Sequence, residues 1–70
     1  MQKYMIITPS VTYALKGRDA LRRRGLRAAV ERRNKKSGGC GYGIVTNGDI
    51  KNIEKILNDS AVRIIEIIDY

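Results

Sequence analysis

Seventy residues with a formal charge of +7, one cysteine, no histidine, no tryptophan and no phenylalanine make a single small domain whose core must come from Ile, Leu, Val and Ala. One cysteine excludes an intramolecular disulfide. The lack of histidine excludes a Cys/His zinc site and removes the usual base from a Ser or Cys nucleophile. No apolar run approaches the roughly 20 residues that span a bilayer, and Met1-Gln2-Lys3-Tyr4-Met5-Ile6-Ile7 turns polar too soon for a signal peptide. The expected location is therefore cytoplasmic, with no membrane partner and no cofactor.

Lys3 to Thr8 reads as a first strand, stopped by Pro9. Ser10 or Thr12 is suited to accept the free N–H groups that open a helix. That helix carries Ala14, Leu15, Ala20 and Leu21 and runs to Arg24. Gly25 takes the left-handed cap position, and Arg22, Arg23 and Arg24 suit the negative end of the helix dipole. Gly17, inside the helix, predicts close approach to the sheet.

Leu26 to Arg33 reads as a second strand, with Leu26, Ala28 and Val30 on one side and Arg27, Ala29 and Glu31 on the other. Asn34 to Gly39 is a polar, glycine-rich turn, and Gly41 to Thr46 a third strand. Asn47-Gly48-Asp49 opens a second helix whose Ile50, Ile53, Ile56 and Leu57 form an apolar stripe. Val62 to Ile68 completes the chain as a fourth strand.

The order β-α-β-β-α-β predicts an α+β, ferredoxin-like sandwich: a four-stranded antiparallel sheet, order 4-1-3-2, with two helices on one face. Strands one and four are apolar on both sides, Met5 and Ile7 against Tyr4 and Ile6, and Ile65 and Ile67 against Ile64 and Ile68. A second apolar face predicts a homodimer through the open sheet face or a docking surface.

Charge is uneven. Lys16 to Lys36 holds ten basic residues against Asp19 and Glu31, a balance of +8, which leaves the rest of the chain at −1. Such a lobe attracts anionic partners or serves as a solvated face.

The lone cysteine lies in Ser37-Gly38-Gly39-Cys40-Gly41. In this topology the strand 2–3 loop shares one end of the domain with the start of helix one, so Cys40 is expected near Thr8 to Thr12, Ser10 included, and the N-terminus of helix one. A helix N-terminus and the cations Arg32, Arg33, Lys35 and Lys36 favour a thiolate. Ser37, Gly39 and Gly41 complete the anion environment, the glycines leaving the sulfur open and offering N–H donors. With no internal base and no second thiol, carriage of an atom fits Cys40 better than catalysis. A single thiolate holds sulfur or selenium as a persulfide or perselenide.

Thr12-Tyr13-Ala14-Leu15-Lys16, followed by Leu21, Gly25-Leu26 and Ser37-Gly38-Gly39-Cys40-Gly41, resembles the small prokaryotic Se/S carrier-like proteins. Those pair a Ser/Thr-x-Ala-Leu-Lys helix signature with a Ser-x-x-Cys-Gly segment, and the resemblance covers essentially the whole chain. It implies Cys40 as the carrier thiol, with a sulfur or selenium donor or acceptor protein as partner. The approach to the cysteine differs: Arg32-Arg33-Asn34-Lys35-Lys36 stands where members often have proline.

Two other readings follow from the residues. Gly41-Tyr42-Gly43-Ile44-Val45 partly fits the third strand of an RRM, with Tyr42 and Tyr4 as stacking platforms and the basic lobe meeting RNA. A non-catalytic homodimeric assembly or regulatory module would make Cys40 incidental.

Overall fold

The computed structural model describes residues 2–34 and 40–69, the side chains of 33, 34 and 40 excepted. Its elements are β1 (Lys3–Thr8), α1 (Val11–Arg23), β2 (Ala28–Asn34), β3 (Cys40–Asn47), α2 (Ile50–Asp59) and β4 (Glu66–Asp69). The four strands form one open antiparallel sheet in the order β2-β3-β1-β4, which is the expected 4-1-3-2 read from the opposite edge.

Alternation along β1 and β3 sorts their side chains onto two faces. Ile6 and Ile44, paired across the two central strands, meet Ala14, Ala20 and Leu21 of α1 and Ile53, Ile56 and Leu57 of α2 in one buried cluster. Ile6, Ile44, Leu21, Ile53 and Leu57 are fully buried. Each contributes about 1.5–3 kcal/mol relative to exposure. Gly17 is where α1 comes closest to this layer. A Cβ there would stand 2.5 Å from Ile44 Cδ1 and 3.1 Å from Leu57 Cδ2.

The ends of α1 follow from its sequence. Ser10 is the N-cap, its hydroxyl accepting the Tyr13 N–H at 3.4 Å. At the other end Gly25 takes φ +84, its N–H donates to Arg22 O, and Leu26 N–H donates to Leu21 O. This pair of reversed bonds satisfies the last carbonyls and turns the chain sharply. It also holds Leu26 and Arg27 out of the sheet, so β2 begins at Ala28 and not at Leu26. At the far end β2 runs on through Asn34, which pairs with Cys40, so the ladder reaches one residue into the expected turn.

The fourth strand differs most from expectation. Val62 N–H donates to Leu57 O and Ala61 takes φ 57, so the chain is still closing the end of α2 where an extended run was expected. Pairing with β1 starts only when Ile65 N–H reaches Ile7 O. The alternation of one uninterrupted strand is therefore broken between Ile64 and Ile67. Val62 and Ile64 both join the helix-side cluster with Ile67, while Ile68 packs on the opposite face. The expected grouping of Ile64 with Ile68 is corrected.

The open face carries Met5, Ile7 and Val45, but these residues are 5%, 1% and 9% exposed. Part of the reason is Gly43, paired with Ile7 on β3. A Cβ on Gly43 would lie 2.7 Å from Met5 Cγ, so the Met5 side chain occupies the space a larger residue would take. Met5 and Ile7 are thus already buried within one chain, whereas Ile65 is 56% exposed and Ile68 half-buried. No helix among the described residues is long and apolar enough to cross a membrane.

Candidate functional site

Cys40 begins β3, its backbone paired with Asn34 at the last rung of the β2–β3 hairpin. Gly41 follows, buried and paired with Arg33, and Tyr42 pairs with both Arg32 and Thr8. The start of β3 therefore lies at the same end of the sheet as the exit of β1, and Ser10 opens α1 two residues beyond Thr8. Arg32 is exposed on β2. Lys35, Lys36, Ser37 and Gly39 lie outside the described residues.

A residue that sequence reasoning passed over joins these elements. The buried Thr8 hydroxyl lies 3.0 Å from Ser10 O and 3.2 Å from Tyr42 O, and its one proton is shared between the two carbonyls. It fastens β3 to the entrance of α1. A threonine ahead of Pro-Ser at a strand end was the available signal. Ser10 caps α1 with its hydroxyl, whereas Thr12, the other candidate, is exposed in the first turn. By helix geometry the first-turn amides have no intrahelical acceptor, which gives this end its positive character.

Tyr4 and Tyr42 are placed otherwise than a stacking platform on an open sheet requires. Both sit at even positions with Ile6 and Ile44 and pack against the helix-side cluster. The face opposite the helices carries Met5, Ile7, Val45 and Gly43 instead. Tyr42 and Tyr4, the alternative RNA-stacking residues, therefore lie on the helix side of the sheet.

The basic lobe is divided by β2. Arg32 and Arg33 lie at the Cys40 end, while Arg27 precedes Ala28 at the other. Six residues of extended chain separate Arg27 from Arg33, about 20 Å. At the Arg27 end, Arg22 Nε donates to Ala28 O at 3.0 Å and Arg23 Nε to Asp19 O at 3.4 Å. Arg18 is paired with its neighbour Asp19 at 3.0 Å. An open depression of about 420 Å³ is lined by Gly25, Leu26, Arg27 and Asn47.

Among the described residues there is no group of three Cys, Asp or Glu side chains arranged to hold a metal ion, nor any buried side-chain nitrogen or oxygen without a partner. No protein-family model matches the chain, and no curated protein matches it.

Proposed function

We propose that the protein carries a sulfur or selenium atom on Cys40 and hands it to a partner protein. The observation that supports this reading is the position of the chain's one cysteine, at the start of β3, on the end of the sheet where Thr8 joins Tyr42 to the entrance of α1. The positive end of α1 and the neighbouring cations favour a thiolate there. The fold reading that accompanies it is the ferredoxin-like sandwich.

Loading is an exchange without net oxidation. The Cys40 thiolate attacks the outer sulfur of a donor persulfide. A new S–S bond forms on Cys40, the donor's S–S bond breaks, and the donor leaves as a thiolate holding the electron pair. Delivery is the same exchange with Cys40 as leaving group. Neither step needs a histidine, because a thiolate is both nucleophile and leaving group. Selenium follows the same course from a donor perselenide.

The test is intact-mass measurement after incubation with a small persulfide, wild type beside Cys40→Ser. The expected result is one added sulfur on the wild type and none on the variant. No addition to either overturns the proposal. A parallel arm with a perselenide donor separates the two cargoes.

A further inference from the structure

The end of the molecule opposite Cys40 is built as firmly as the cysteine end, and carriage on a thiol does not use it. Arg27 is anchored from two sides. Thr46, fully buried in β3, donates its hydroxyl to Arg27 O at 2.6 Å, and Leu26 N–H is bonded to Leu21 O at 3.0 Å. Asn47 follows Thr46 directly, so the Arg27 and Asn47 backbones are held side by side along the depression. Its apolar wall is Leu26, packed against Gly48, where a Cβ would stand 3.4 Å from Leu26 Cδ2.

Arg27 lines this depression, and the exposed Arg22, Arg23 and Arg24 directly precede its Gly25 in the chain. Arg22 and Arg23 are each tied to a backbone carbonyl through Nε, Ala28 O and Asp19 O, and their terminal nitrogens are bound in neither of these two bonds. The nearby carboxylates are engaged elsewhere: Asp19 faces Arg18, and Asp49 caps α2 by accepting the Lys51 N–H. Planar, preoriented guanidinium groups match phosphate oxygens in pairs. Within the turn the Leu21 carbonyl accepts from Arg24 and Leu26 N–H and the Arg22 carbonyl from Gly25 N–H.

We infer that this end binds single-stranded nucleic acid. The arginines take successive backbone phosphates, and one unpaired base rests on Leu26 in the depression, where the Arg27 guanidinium plane can stack on it. The Asn47 amide, both donor and acceptor, meets the base edge. A base in a duplex cannot enter the depression, because its faces and pairing edge are occupied. This site is independent of Cys40 and does not use Tyr4 or Tyr42.

The experiment is fluorescence anisotropy of the full chain with a labelled single-stranded 15-mer, in RNA and DNA forms, at 50 and 200 mM salt. With four phosphates neutralised, the single-strand counterion slope predicts about a 50-fold loss of affinity between the two salts. Arg24→Gln/Arg27→Gln lowers affinity at 50 mM salt by about tenfold or more and flattens the salt slope by about 1.4. Asn47→Ala weakens binding at both salts equally. Lys55→Gln, an exposed charge change on α2, shifts affinity less than about twofold, and Cys40→Ser leaves it unchanged. The inference is overturned by no saturable binding at 50 mM salt, by equal loss from Lys55→Gln and the double variant, or by equal or tighter binding of a duplex or of poly-glutamate. Arg24 and Arg27 are exposed, so an unchanged thermal melt of the double variant assigns its loss to contact.

Discussion

At one end of the sheet Cys40 starts a strand beside the capped entrance of α1; at the other, Arg27 is fixed to β3 beside the exit of the same helix. Both ends are basic, yet the physics differs. On the proposed reading, the first brings the positive end of a helix dipole and the basic end of β2 to bear on a small anion, a thiolate. The second bonds the Leu21 and Arg22 carbonyls in a reversed turn and sets Arg27 beside a depression, which on our inference receives an extended polyanion. One chain carries both because β2 sets them about 20 Å apart.

The comparison is broken most completely at what the two ends share. Ile44 is fully buried between the sheet and both helices, so Ile44→Ala should cost about 2–5 kcal/mol in urea unfolding and weaken both ends together. A loss under about 1 kcal/mol would show that the two ends do not depend on a common core.

A smaller change should divide them. Thr46→Val keeps the shape but removes the hydroxyl from Arg27 O, leaving that carbonyl without its partner, at about 1–3 kcal/mol. Oligonucleotide affinity should fall while sulfur loading at Cys40 stays as in the wild type. Equal loss of both would mean that the ends are not separable.

The smallest expected effect lies at the cysteine end. Ser10→Ala removes the N-cap of α1 and should cost about 1 kcal/mol by thermal or urea unfolding. It should slow loading at Cys40 and leave oligonucleotide binding intact. A change confined to oligonucleotide binding would reverse the assignment.

Much of the frame was legible in the residues. The β runs Lys3 to Thr8 and Gly41 to Thr46, the alternation in Leu26 to Arg33, the stripe Ile50, Ile53, Ile56 and Leu57, and the Pro9, Gly25 and Asp49 signals located five elements and the strand order. The start of β4 was not legible, since nothing in an Ile-rich run reveals that Ala61 takes a positive φ and that Val62 still closes α2. The face of β3 was equally hidden: Tyr42 on the helix side follows from pairing Tyr42 with Thr8, a long-range fact. The basic run looked like one lobe because sequence distance ignores the length of a strand. Burial of Met5 and Ile7 on the open face depends on where side chains lie over Gly43, which composition does not encode.

The most direct test of the central claim is the rate of sulfur loading at Cys40 measured against pH. If this end of the sheet favours the thiolate, the rate reaches half its maximum well below the free-cysteine value of about 8.5, and Cys40→Ser shows no loading at any pH. A half-point at or above about 8.5, or loading that survives in Cys40→Ser, would contradict it.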